Sequence, residues 1–207
     1  MKKKLFYIFL SLIFFFAFVF FSYLVKKEVF QQLDFDFTVK LQNHLPKKYD
    51  GYLSVLSLIG SFEILSLIIL FLILMRKKII SFLIFIPFIA AHLIEIFGKA
   101  LLRHPGPPFM FFRYSYDFLF PSSYVKPGYS YPSGHSLRAA FIAVIIIYLI
   151  NKLKIKPGWK IFFNLIVFLT LALMLVSRIS LGEHWLSDVI GGALLGTAGA
   201  FFSFLFI

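Results

Sequence analysis

Apolar residues run through this chain in long blocks separated by short polar punctuation, and the blocks have the length of bilayer spans rather than of helices buried in a soluble core. Leu5 to Val25 is the first, 21 residues long and preceded by Lys2, Lys3 and Lys4. Its flank resembles a secretory signal, but the run is too long and no small-residue cleavage site follows, so it is expected to be a retained first span. Tyr52 to Met75 is the second, interrupted by Glu63 and closed by Arg76-Lys77-Lys78; Ile79 to about Leu102 is the third, with His92, Glu95 and Lys99 toward its far end. A fourth span is expected from about Ser133 to Ile150, a fifth from Ile161 to Val176 and a sixth from about Leu186 to Ile207. The fourth and fifth are short in their purely apolar parts, so their polar ends should enter the protein interior. Lys26 to Asp50, with Asp34 and Asp36 among aromatics, reads as a loop carrying a short interfacial helix. The longest non-helical stretch, Arg103 to Tyr131, is rich in Pro, Phe and Tyr, residues suited to the level of the lipid headgroups.

Composition sharpens this picture. With 60% hydrophobic and 14% charged residues in 207 positions, the chain has too much apolar surface for one soluble core. The expected fold is therefore all-α: a polytopic membrane helical bundle of six transmembrane helices forming a single domain over residues 1–207. The absence of cysteine removes disulfides and thiolate metal sites. A formal charge of +12 raises the question of nucleic acid. The basic residues, however, come in short clusters between apolar blocks, which fits topology signals and an anionic bilayer surface, and no nucleic-acid partner is expected.

Those clusters also orient the chain. The N-terminus, residues 76–78 and residues 151–160 carry three, three and four basic residues and no acid. The first loop on the opposite side has five lysines together with Glu28, Asp34, Asp36 and Asp50. The balance favours a multi-pass cell-membrane protein with both termini cytoplasmic. Lys99, Arg103, His104, His135, Arg178, His184 and Asp188 then all fall at the extracytoplasmic face, so the active site is expected at one membrane surface.

Polar groups at such positions are costly and call for a function. In Tyr131-Pro132-Ser133-Gly134-His135-Ser136, Pro132 disfavours helix just before Ser133, a good N-cap. Gly134 would let a ligand approach the backbone, and the free N–H groups of the first turn form an anion site. His135 would stand beside it, able to protonate a leaving oxygen. This stretch alone is equally compatible with a capped span whose histidine is merely interfacial. In the second stretch, Ser177 to Asp188, His184 and Asp188 are four apart and share a face if the sixth helix begins early. A carboxylate on one imidazole nitrogen would then leave the other free to attack. Arg178 precedes Gly182, where a turn would bring a bidentate phosphate binder over the same spot. A polar helix pair at the interface is the weaker account of His184 and Asp188, because both would then need burial with no task. Glu183 reads as an exposed charge at a helix start, His104 as a loop residue, and His92 with Glu95 as an interhelical hydrogen-bonding pair.

Pro132-Ser133-Gly134-His135 together with Ser177-Arg178-x5-His184-x3-Asp188 resembles the second and third signatures of the type 2 phosphatidic acid phosphatase/haloperoxidase superfamily. The core motifs extend from 99 to 188, with Lys99 and Pro107 in register for the first signature, Lys-x6-Arg-Pro. Glycine stands at 106 where arginine is usual. The resemblance implies a metal-independent phosphatase without cofactors. His184 would be the nucleophile that forms a phosphohistidine, Asp188 its orienting partner, and His135 the general acid. Lys99, Arg178, Ser133 and Gly134 would hold the phosphoryl oxygens. Arg103, one turn after Lys99, is the expected substitute for the missing arginine, with Arg113 and Arg138 behind it.

The aromatic stretch Phe109, Phe111, Phe112, Tyr114, Tyr116 and Phe118 suits a lipid-borne phosphate, though ordinary interfacial packing would explain it equally. Undecaprenyl diphosphate, phosphatidylglycerol phosphate and phosphatidic acid are the substrate classes in view. A lipid phosphotransferase using the same intermediate, or a non-catalytic phosphate-lipid binding or transport protein, is the alternative. Haloperoxidase chemistry ranks last, because relatives with that activity are soluble. The sequence sets no oligomeric state.

Overall fold

The structure is a computed structural model that describes residues 2–76, 79–115 and 128–206. These residues form helices and connecting loops. α1 covers Lys2–Lys26, α2 Gln31–His44, α3 Asp50–Ile59, α4 Phe62–Arg76, α5 Phe85–Leu102, α6 Gly134–Lys152, α7 Pro157–Ser180 and α8 Leu186–Ser203. Five helical stretches are long and apolar enough to cross a bilayer, and six if one bent pair counts as a single span. This is the expected all-α polytopic bundle. Leu5, Phe9, Phe16 and Phe20 on α1 and Ile161, Leu165 and Phe168 on α7 are exposed, as befits helix faces whose solvent is lipid.

α6 and α8 are the central pair. Glycine makes their approach possible: a Cβ at Gly192 would lie 2.2 Å from Ser133 O, and one at Gly196 2.0 Å from Leu137 O. Small residues in this role are the usual device of membrane bundles, where backbone proximity replaces a hydrophobic driving force. α1 lies along the other side of α8, with Ser11 Oγ donating to Ala198 O at 2.9 Å. Phe88, Phe141, Ile145 and Phe204 fill the core toward the end remote from the motifs.

The second expected span, Tyr52 to Met75, is corrected by the structure. It is broken at Gly60-Ser61 into α3 and α4, which bend by 50°. Gly60 is a poor helix former, and Ser61 restarts the helix by offering its Oγ to the N–H of Ile64. The buried break lets Gly60 lie against the His135 ring, where its O accepts from Arg138 Nε at 3.4 Å. Non-helical backbone at membrane depth is tolerated when it is enclosed by protein in this way.

The region from Lys26 to Asp50 contains a full helix. α2 is fixed over the start of α8 by Asp34, whose carboxylate accepts from Ser187 N at 2.8 Å and Ser187 Oγ at 2.6 Å. Its far end is tied down by Gln42 Nε2, which donates to Phe111 O and Ser180 O. The fifth span is longer than expected, Pro157–Ser180, and its last turn is buried as anticipated: Ser177, Arg178, Ile179 and Ser180 are all inside.

Candidate active site

Four helix ends meet at one end of the bundle: the C-termini of α5 and α7 and the N-termini of α6 and α8. Ser133 caps α6 by accepting the N–H of Ser136, and its own N–H donates to Asp188 O at 3.0 Å, which joins the two motifs directly. The space beside Gly134 is taken by a side chain of the protein: a Cβ there would meet Glu95 Oε1 at 2.2 Å. Glu95 in turn holds Lys99 Nζ at 2.8 Å, so Lys99 is delivered to the start of α6 through a buried carboxylate.

His135 stands in the first turn of α6. Its Nδ1 lies 3.4 Å from Arg138 Nη2, whose guanidinium also reaches His92 Nε2 at 3.3 Å. Arg178, Arg138, His184 and Lys99 all lie close enough to act on His135 electrostatically.

At the end of α7 the chain reverses at Gly182, with φ of +68°. A Cβ there would lie 2.1 Å from Phe111 O. The amides of Glu183 and His184 both return to Arg178 O, at 3.1 and 3.2 Å, folding His184 back over Arg178. Arg178 Nη1 pairs with Glu183 Oε2 and Ser57 Oγ, while its buried Nε has no hydrogen-bond partner among the described residues. Glu183 is thus the largely buried counter-ion of Arg178, not the exposed helix-start charge expected.

The sixth helix does not begin early. α8 starts at Leu186, so His184 precedes it, and Asp188 sits in the first turn with Oδ2 accepting the N–H of Trp185 at 2.9 Å. Asp188 is fully buried, and its Oδ2 also accepts from Ser130 Oγ at 2.6 Å. His184 Nδ1 approaches that oxygen at 3.4 Å without hydrogen-bond alignment. Burial, and after it the charge of Arg178 against the opposing pull of Asp188, holds the His184 imidazole below its ordinary pKa. The ring is therefore neutral near pH 7, the form in which a nitrogen lone pair can attack.

Of the cations weighed for the arginine missing at 106, Arg103 is the exposed left-handed C-cap of α5. Arg113 donates to Gln42 O and Leu45 O. Arg138 is buried beside His135. In the aromatic stretch, Phe109 and Phe112 are exposed and stacked, whereas Phe111 is buried against Trp185 and Phe35. Tyr116 and Phe118 lie outside the described residues.

Sequence reasoning missed Ser57 and Ser130, ranked Arg138 only among the substitute cations, and read His104 as a loop residue, although its Nδ1 is 2.9 Å from Asp188 Oδ1. The available signal was polarity itself, since Arg138 and Ser57 interrupt apolar spans where a polar group needs a partner.

A helical membrane bundle that gathers two histidines, a buried carboxylate and several cations at one end has the equipment of a membrane phosphoryl-transfer protein. The profile of the PAP2 superfamily matches residues 78–207, well over half of the chain. The chain belongs to the PAP2 superfamily. Among curated relatives, phosphatidylglycerophosphatase B of Bacillus subtilis (strain 168) is 38% identical over 72 residues, 34% of this chain and 36% of the relative. An undecaprenyl-diphosphatase of Sulfolobus acidocaldarius is 31% identical over 137 residues, 65% of this chain and 58% of the relative. The matched stretches thus span about a third and somewhat over half of those proteins. Two crystal structures share the fold. The first transmembrane PAP2-type phosphatidylglycerolphosphate phosphatase from Bacillus subtilis superposes with a TM-score of 0.76 at 21% identity, over 96% of both chains. Aquifex aeolicus LpxE superposes with a TM-score of 0.58 at 23% identity, over 84% of this chain and 95% of that one.

Proposed function

We propose that this protein is a lipid phosphatase that cleaves a phosphomonoester or diphosphate through a phosphohistidine on His184. Neutral His184 attacks phosphorus through Nε2, while Nδ1–H faces Asp188. The P–O bond to the departing oxygen breaks, releasing the lipid alcohol from a monoester or the lipid monophosphate from a diphosphate, and that oxygen takes a proton from His135 in its imidazolium form. Water then attacks the phosphohistidine, giving up a proton to His135, and inorganic phosphate leaves with His184 restored. Arg178, Lys99 and the amides at the start of α6 carry the charge on the phosphoryl oxygens, a matter of positioning and electrostatics rather than of a metal. Arg138 adds positive charge from behind His135, which fits it better than exposed Arg103 to offset the arginine missing at 106.

The observation that carries this reading is the joining of the two motifs at one helix-end cluster, where Ser133 N donates to Asp188 O at 3.0 Å, His184 N returns to Arg178 O, and Lys99 is held by Glu95 beside Gly134. The buried Nε–H of Arg178, unpartnered among the described residues, supports it, because an acceptor such as a phosphoryl oxygen would satisfy it. Phosphatidylglycerol phosphate and undecaprenyl diphosphate are the favoured substrates, in line with the two curated relatives. The basic flanks of the spans favour both termini in the cytoplasm, which would set the site on the outer face. Phosphate release by purified protein across lipid mono- and diphosphates tests the reading. Release is expected with at least one of these lipids and none with His184→Ala; no release from any of them, or equal release by the variant, overturns it.

A further inference from the structure

The better-placed imidazole on Asp188 is not the one assigned as nucleophile. His104 Nδ1 lies 2.9 Å from Oδ1, whereas His184 Nδ1 is 3.4 Å from Oδ2 and unaligned. The second oxygen also accepts from Ser130 Oγ and the Trp185 amide. Asp188 is thus held by three donors before His184 is counted, and rotation of its carboxylate plane is blocked from both sides.

His104 is itself fixed. Its carbonyl accepts from Ser130 N at 2.9 Å, its ring meets Tyr131 edge-on, and the next carbonyl, Pro105 O, accepts from Trp185 Nε1 at 2.9 Å. Residues 104–105 are therefore sewn to the stretches preceding α6 and α8, though 84 positions separate His104 from Asp188.

We infer that His104 is a positioning residue: by anchoring one oxygen of Asp188 it aims the other at His184 Nδ1. This rests on the phosphatase reading above and deepens it. When His184 Nε2 bonds to phosphorus, the ring acquires a positive charge, and a carboxylate locked in place stabilises that charge without reorganising. His104 touches neither phosphorus nor the leaving oxygen and exchanges no proton with them. Its own charge is governed by what faces it: Asp188 foremost, then Asp34 on α2 and Glu28 after α1. Burial alone would lower the His104 imidazole, but the hydrogen bond and charge of Asp188 turn the net shift upward.

The test compares His104→Ala, His104→Asn and His184→Ala in purified full-length protein. His104→Ala is expected to lower kcat by about tenfold or more, the scale of lost orienting contacts, with KM within about twofold. His104→Asn, whose amide can still donate to Asp188, is expected to recover most of the loss. Unchanged kcat in His104→Ala, a loss confined to KM, or no rescue by asparagine overturns the inference; should the alanine variant fail to fold, asparagine against glutamine decides it on the same split. Full activity in His184→Ala would instead overturn the phosphatase reading. Nitrogen resonances of 15N-histidine protein provide a readout apart from turnover: Asp188→Asn should move the His104 midpoint down toward that of free imidazole, and an unmoved midpoint removes the contact on which the inference stands.

Discussion

The two ends of the bundle use basic residues in opposite ways. At the motif end Arg138 and Arg178 are buried, and each is held by several groups: Gly60 O, His92 and His135 for one, Glu183 and Ser57 for the other. At the far end Lys3, Lys4 and Lys152 are exposed around an open pocket of about 340 Å³, lined also by Tyr7, Tyr148 and Phe204 and, among the described residues, by no acidic one. A buried cation without partners would be prohibitive, so burial at the motif end had to bring a network with it. An exposed lysine at a span end costs little and chiefly marks which side faces the cytoplasm.

The sharpest way to break this comparison is at the motif end. His184→Ala and Asp188→Ala should each lower kcat by about three orders of magnitude or more, read by phosphate release, since residues acting as one unit lose nearly everything singly. Arg178→Ala should cost about a hundredfold in kcat/KM and also lower the melting temperature, because it strands Glu183 inside the protein. Arg178→Lys should recover only part of the activity, lacking the planar fork.

A packing change comes next. Gly196→Val places branched carbon against Leu137 O in the α6–α8 contact and should destabilise by about 1–3 kcal/mol, measured as a lower melting temperature in detergent. A smaller effect is tied to pH. The His104 pKa is raised in the folded protein, so its pairing stabilises fully below the ordinary imidazole value, about 6.5, and fades as pH rises through the raised value. The melting-temperature advantage of wild type over His104→Asn should therefore be full below about pH 6.5 and shrink as pH rises above it. The smallest effect belongs to the far end: Lys3→Gln, Lys4→Gln and Lys152→Gln together should leave turnover within about twofold. A large loss there would erase the distinction between the two ends.

Hydropathy and cap chemistry made much of this legible in advance. The spans, the Ser133 cap, the reversal at Gly182 and the gathering of both motif histidines at one end follow from local pattern and from alternation of direction. The break at Gly60-Ser61 does not, because averaging over an apolar window hides two polar-neutral residues whose effect depends on the His135 and Arg138 they face. Glu183 was misread for a similar reason: its partner Ser57 lies 126 positions away and is invisible until the broken helix folds back. His104 was read as a loop residue because nothing near it in the chain predicts Asp188 as its neighbour. Local physics places elements; long-range closure assigns partners.

The central claim is that His184 becomes phosphorylated. Rapid acid and alkaline quench of purified protein turning over a 32P-labelled lipid phosphate or diphosphate tests it most directly. An acid-labile, base-stable phosphoenzyme that is absent from His184→Ala is the predicted result. An active preparation that traps no such species, or label that persists in the variant, would contradict it.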